Sequence, residues 1–143
     1  SIEITKVGTK AKTIDFDVKL SDDVPNLPLV ADQLEQVFVN ILLNAVDAIN
    51  EVKEDKKEKR ISIESAFSQE EVIITFKDTG SGISEENLTK IFEPFFTTKS
   101  QGRGTGLGLW VSYGIIKSFQ GKLEVQSNTG IGTTFTIKLP VEK

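Results

Sequence analysis

Three stretches of this chain carry groups that could do chemistry. In the first, Gln33, Gln36, Asn40, Asn44, Asp47 and Glu51 recur three or four positions apart. At about 100° per residue these side chains fall within an arc of roughly 80° on one helix. Asn40 and Asn44, one turn apart, would aim amide oxygens at a ligand or at a hard cation, and Mg²⁺ takes such oxygens readily. The same strip is also what the water-facing side of a helix looks like. In the second stretch, Asp78-Thr79-Gly80-Ser81-Gly82, a carboxylate follows directly on an apolar run. It can accept a hydrogen bond from an exocyclic amine, and the glycines would let a planar base approach the backbone closely. An ordinary Asx-type turn has this pattern too. In the third, Gly104-Thr105-Gly106-Leu107-Gly108-Leu109, side-chain-free residues open a helix, where exposed N–H groups form an anion site. A flexible hinge is the plainer alternative.

Composition removes other chemistries. The 143 residues include no histidine and no cysteine. That excludes a Ser-His-Asp triad, imidazole acid–base work, a thiol nucleophile, a zinc–thiolate site and any disulfide. The net charge of −4 argues against a general nucleic-acid binder. No apolar run approaches the ~18 residues of a membrane span, and Lys6, Lys10 and Lys12 interrupt any leader-like start. No GxxxxGK[ST] cradle occurs, GxGxG stands where a dinucleotide fold needs GxGxxG, and neither HRD nor DFG is present. A chain beginning at Ser1 with no methionine is expected to be part of something longer.

The elements that must position these groups follow from hydrophobic periodicity. Ile14, Phe16, Val18 and Leu20 alternate with polar residues, as a half-buried strand does. Ser21, Asp22, Asp23, Pro25 and Pro28 then break the chain before a helix from Asp32, its expected N-cap, to about Glu51. Val37, Phe38, Ile41, Leu42, Ala45, Ala48 and Ile49 fill the core-facing arc of that helix, and Val39, Leu43 and Val46 extend it. Most of the helix is therefore expected to be wrapped by protein.

The run from Glu51 to Arg60 reads as a solvated helix end and loop. Strands are expected at Ile61–Ile63 and Val72–Phe76, joined as a hairpin through Ser68-Gln69-Glu70. Ser84, with Glu85 and Glu86, opens a short helix ending near Phe92. Thr97 to Gly108 has the polar, glycine-rich profile of a mobile loop. A helix from Leu109 to Phe119 and a strand pair, Lys122–Gln126 and Thr133–Leu139, close the chain. This order predicts an α/β two-layer sandwich, with a mixed, mostly antiparallel sheet covered on one face by helices. It does not reveal the order of the strands.

Together these segments resemble the ATP-binding catalytic domain of sensor histidine kinases. Gln36 to Ile49 (QVFVNILLNAVDAI) is similar to its N box and Asp78 to Ile83 (DTGSGI) to its G1 box. Phe92 to Phe96 (FEPFF) is similar to its F box and Gly104 to Leu109 (GTGLGL) to its G2 box. Gly132-Thr133-Thr134-Phe135 resembles the terminal GTxF segment, ahead of Leu139-Pro140. Any one box is common by chance, but five in this order are specific. The match covers residues 24–140 of one domain spanning 1–143, with 1–23 as an extension carrying an edge strand. It implies the Bergerat fold shared with gyrase-type, mismatch-repair and heat-shock-chaperone ATPases.

The resemblance also implies roles. Asp78 would bond the adenine amino group, with Thr133 assisting through water, while Gly80, Gly82 and Ile83 shape the base pocket. Asn44 would be the Mg²⁺ ligand, with Asn40 beside it contacting phosphate or metal and Asp47 further along the same face. Phe92, Phe95 and Phe96 would anchor an ATP lid over residues 97–104, from which Lys99 or Arg103 would reach the γ-phosphate. Gly104, Thr105, Gly106, Leu107, Gly108 and Leu109 would bring backbone donors to the phosphates. The implied cofactors are ATP and Mg²⁺.

Two departures matter. Asn40 stands where related ATPases resemble one another in carrying a water-activating glutamate, and an amide is no general base. Phosphoryl transfer, which rests on positioning and charge neutralisation, is thereby favoured over hydrolysis. The second is the Asp47-Ala48-Ile49 ending, where many relatives carry a basic residue near Asp47, so that a lysine contact to phosphate is not available from that position. The family transfers phosphate to a histidine on a dimeric helical hairpin, which this histidine-free chain lacks. The implied partners are that hairpin and a response-regulator receiver domain, with the isolated domain a cytoplasmic monomer. A nucleotide-sensing module without transfer and a gyrase-type hydrolase are the competing functions.

Overall fold

The computed structural model describes residues 14–19, 31–52, 58–68, 70–94 and 108–140. In chain order they form β1 (Asp15–Lys19), α1 (Ala31–Asn50), β2 (Arg60–Ser68), β3 (Glu71–Asp78), α2 (Glu85–Leu88), α3 (Gly108–Ser118), β4 (Lys122–Asn128) and β5 (Gly132–Pro140). The five strands make one sheet in the order β1-β2-β3-β5-β4. β1 pairs with β2 in parallel and every other pair is antiparallel. Helices α1 and α3 pack on each other and over one face of this sheet. The expected two-layer sandwich is the one observed.

Period-two alternation decides which side chains meet the helices. Register aligns Val18, Ile63, Phe76, Phe135 and Val125 in one row across all five strands. Ile74, Ile137 and Leu123 form the next row, and Val72 with Leu139 a further one. From α1 the matching apolar arc, Val37, Ile41, Leu42, Val46 and Ile49, is fully buried against them. Phe38 meets Phe76 at a ring-centroid distance of 5.6 Å. Each such side chain contributes about 1.5–3 kcal/mol by leaving water, and truncating Ile41 or Ile63 to alanine would cost about 2–5 kcal/mol. The opposite face of the sheet presents Asp17, Ser62, Lys77, Thr134 and Gln126 in one row and Glu64, Thr75, Thr136 and Glu124 in another.

Turn chemistry sets the ends of the elements. β2 and β3 pair from Ser68↔Glu71 downward, with Glu70 at a φ of 63°. Gly130 at φ 82° carries the chain between β4 and β5. Ser84 caps α2 as expected, its hydroxyl accepting from the Asn87 amide at 3.2 Å. Three boundaries differ from the sequence reading. Ala31 is already helical, so Asp32 falls within the helix as described rather than at its start. The helix opened by Ser84 stops at Leu88, and turns carry the chain on to Phe92. The β2–β3 hairpin is longer than its apolar cores, because backbone pairing continues wherever the partner strand does. Among the described residues no helix is long and apolar enough to cross a membrane.

Candidate functional site

The helix-facing rows of the sheet are apolar until the last. There the register aligns Phe16, Ile61, Asp78, Thr133 and Ser127. A row that begins with two apolar residues thus ends in a carboxylate and two hydroxyls. Asp78 is 5% exposed and Thr133 4%, and groups this buried need partners. One carboxylate oxygen of Asp78 accepts the Gly80 amide hydrogen at 2.8 Å. The Ser127 hydroxyl lies 2.8 Å from that of Thr133, 3.0 Å from the Gly132 carbonyl and 2.7 Å from the Ile83 nitrogen, which donates to it.

The turn after β3 is clamped from three sides. The Ser81 amide donates to the Ala48 carbonyl at 3.0 Å, and the Gly130 amide donates to the Ser81 carbonyl at 2.8 Å. The Ser81 hydroxyl bonds Glu51 at 3.0 Å, and the Thr79 hydroxyl bonds the Glu58 carbonyl at 2.7 Å. Glycine is required here by protein packing. A Cβ on Gly80 would lie 2.6 Å from the Ala48 Cβ, and one on Gly82, at φ +80°, 2.4 Å from the Asn128 carbonyl oxygen. On the Cβ side of both positions the neighbouring atoms are the protein's own, so these glycines set walls of the turn. Ile83 packs at the margin of the core.

The polar strip of α1 connects this turn with α3. Gln33 and Gln36 are exposed, while Asn40, Asn44 and Asp47 are half-buried. Ala48 touches the turn at one end of the line Asn40–Asn44–Ala48. At the other end, the Asn40 amide nitrogen donates to the Gly108 carbonyl and to the Ser112 hydroxyl, each at 3.2 Å. Two helical turns separate Asn40 from Ala48, about 12 Å of rise, with Asn44 midway. Ser112 is fully buried and donates to the Gly108 carbonyl at 2.9 Å. That carbonyl is acceptor only, which fixes the nitrogen side of the Asn40 amide toward α3.

Asn40, Asn44, Asp47, Asp78, Gly80, Gly82, Ile83, Phe92, Gly108, Leu109 and Thr133 all lie among the described residues. Phe92 and Leu109 pack against the core margin, and the Phe92 ring meets Tyr113 of α3 at 5.2 Å. Phe95, Phe96, Lys99, Arg103, Gly104, Thr105, Gly106, Leu107 and the whole 97–104 lid lie outside the described residues. Sequence reasoning passed over Ser127 and Ser112. Ser127 sits in a stretch that reads as the approach to a turn, and its signal was its parity with Leu123 and Val125. Ser112 showed only as a small hydroxyl on the buried arc of a helix.

The chain matches the family described as histidine kinase-, DNA gyrase B-, and HSP90-like ATPase over residues 29–143. It is 41% identical over 143 residues to sporulation kinase E of Bacillus subtilis (strain 168), covering 100% of this chain and 18% of that protein. It is 36% identical over 141 residues to sensor histidine kinase ZraS of Escherichia coli (strain K12), covering 99% of this chain and 29% of that protein. The chain thus spans less than a third of either relative. Among solved structures, the catalytic domain of histidine kinase ThkA superposes with a TM-score of 0.73 at 29% identity, over 96% of this chain and 84% of that one. Full-length ShkA in complex with AMPPNP gives 0.80 at 23% identity, over 95% and 28%, a likeness of fold.

Proposed function

This chain belongs to the histidine kinase-, DNA gyrase B-, and HSP90-like ATPase family, and we propose that it binds Mg-ATP and delivers the γ-phosphoryl group to a histidine on a separate helical hairpin. The observation that carries the reading is the Asp78–Thr133–Ser127 end of an otherwise apolar row, followed by a turn that meets Ala48, one helical turn along α1 from Asn44. A buried carboxylate is an acceptor only, suited to the amino group of adenine. The donor set of α1 suits a hard cation in part. Among the described residues no three acidic, histidine or cysteine side chains gather as a metal cluster. Mg²⁺ would take the Asn44 amide oxygen and complete its shell with phosphate oxygens and water, as this ion commonly does. When bound, it neutralises charge on the phosphates.

The protein's own residues then divide the work. Asp78 orients the base, and Asn44 is the residue that would hold the cation, whose charge would neutralise the phosphates. Asn40, its nitrogen committed to α3, keeps that helix start against α1 and has only an oxygen left to offer the cleft. The Asn40 amide cannot take a proton from water, which supports transfer over hydrolysis. The acceptor must come from elsewhere, because the chain contains no histidine. We assign the parent a response-regulator receiver as next acceptor, and this domain a cytoplasmic, monomeric existence.

The test mixes the chain with a histidine-bearing hairpin from a sensor kinase and γ-labelled ATP. Label on the hairpin, lost when its histidine is replaced, is expected. An unlabelled hairpin with tight nucleotide binding would make the chain a sensing module, and rapid phosphate release without a hairpin would make it a hydrolase.

A further inference from the structure

We propose that Ser127 is a specificity-determining residue: it fixes the hydroxyl of Thr133 as an acceptor, so that the base end of the cleft admits an adenine edge and rejects a 6-oxopurine edge. The proposal rests on the nucleotide-binding reading above. A serine hydroxyl has one proton and two lone pairs. The Ile83 amide donates into one lone pair of Ser127 at 2.7 Å. The Gly132 carbonyl, 3.0 Å away, is acceptor only and takes the single Ser127 proton. The remaining contact, 2.8 Å to the Thr133 hydroxyl, must therefore run with Thr133 as donor. Ser127 is then saturated, and the Thr133 proton points away from Asp78 along the row.

The consequence is a matter of polarity. Asp78 and Thr133 are directly opposed across β3 and β5, so they stand side by side on the helix-facing surface. Both then present lone pairs only. An adenine edge offers a 6-amino donor, whereas hypoxanthine or guanine offers an oxygen there, which would face two acceptors. Were the Thr133 hydroxyl free to rotate, it would donate to that oxygen and erase part of the discrimination. Thr133 is nine-tenths buried and Ser127 half-buried, which strengthens the penalty for a mismatched pair.

The experiment measures binding of ADP and inosine diphosphate, which differ only at this edge, to the full chain by calorimetry. Ser127→Ala is expected to lower the ADP:IDP affinity ratio about tenfold, and Ser127→Thr, which keeps the hydroxyl on a strand, to restore it. Thr133→Val should lower the ratio similarly, and the double variant no further. A Ser127→Ala protein that loses affinity for both nucleotides equally, its ratio unchanged, would overturn the proposal and leave a packing role. So would a ratio that falls in Thr133→Val and not in Ser127→Ala. If the unaltered chain binds neither nucleotide, the nucleotide-binding reading itself fails, an outcome separate from the other two.

Discussion

The two ends of the cleft are built by different means. At the sheet end, Asp78, Thr133 and Ser127 come from three strands and meet only because the register of β3, β5 and β4 brings them into one row. At the helix end, Asn40 and Asn44 are neighbours by the pitch of α1, and the Asn40 amide ties that helix to the start of α3. The sheet end is tightly set: a Cβ on Gly82 or Gly132 would lie under 3 Å from the backbone of Asn128 or Asp78. At the helix end a Cβ on Gly108 would meet the Asn40 side chain at 3.7 Å, an ordinary contact. On the function proposed above, recognition that needs fixed hydrogen-bond polarity falls to the first, and groups that accommodate a flexible phosphate chain fall to the second.

Glycine substitution breaks the comparison most directly. Gly132 stands at φ +151°, and a Cβ there would lie 2.0 Å from the Asp78 carbonyl oxygen. Gly132→Ala must part β5 from the end of β3 and is expected to cost at least about 3 kcal/mol in denaturant unfolding. Gly108→Ala puts a methyl 3.7 Å from the Asn40 side chain, an ordinary contact. With its higher helix propensity, it should leave stability level or raise it by up to about 1 kcal/mol. Equal losses at the two sites would mean the helix end is as tightly set as the sheet end.

Asp78→Asn tests recognition apart from architecture. The asparagine oxygen still accepts the Gly80 amide, so the turn survives, but the other end of the amide turns a donor toward the adenine amino group. ADP affinity should fall about ten- to a hundredfold, with the unfolding midpoint nearly unchanged. Affinity that survives while stability collapses would assign Asp78 to the turn alone.

On the helix end the two asparagines should part ways. Asn44→Ala is expected to weaken Mg²⁺-dependent nucleotide binding about tenfold, with much less change when the metal is chelated. Asn40→Ala, which removes the donor to Gly108 and Ser112, should cost about 1 kcal/mol in stability, with similar changes in binding with and without metal. Identical metal dependence in the two variants would erase the distinction drawn between them.

How legible each end was in the sequence follows from how it is built. Asn40, Asn44 and the core arc of α1 could be read from a 3.6-residue period, because both asparagines and the core arc lie on one local element. Asp78 stood out as a carboxylate ahead of glycines. Its partnership with Ser127, some fifty positions later in the chain, depended on a strand order, β3-β5-β4, that no local pattern encodes. The packing role of Gly80 and Gly82 was hidden for the same reason, since the atoms a Cβ would meet belong to Ala48 and Asn128. Asp32 looked like a cap because a short acidic residue ahead of an apolar period usually is one, yet the helix already includes Ala31.

The outer face of the same sheet supplies the smallest effect, and so the floor against which the cleft is judged. Lys138 bonds Glu124 at 2.7 Å in the open. That hydrogen bond, ahead of the simple charge attraction, lowers the Glu124 carboxyl below its usual value and raises the Lys138 ammonium. Glu124 adds stability above the ordinary carboxylate pKa and loses it as the pH falls through the lowered folded-state value. The Lys138 contribution is present below the ordinary lysine pKa and lost as the pH rises through the raised one. Exposure and salt screen both. Lys138→Gln should therefore shift the thermal midpoint barely at neutral pH, not at all in strong acid, and leave nucleotide affinity untouched. A pH-dependent loss of ADP binding in this variant would mean that charge on the outer face reaches the Thr133 row through β5, and that the sheet end is less insulated than its register implies.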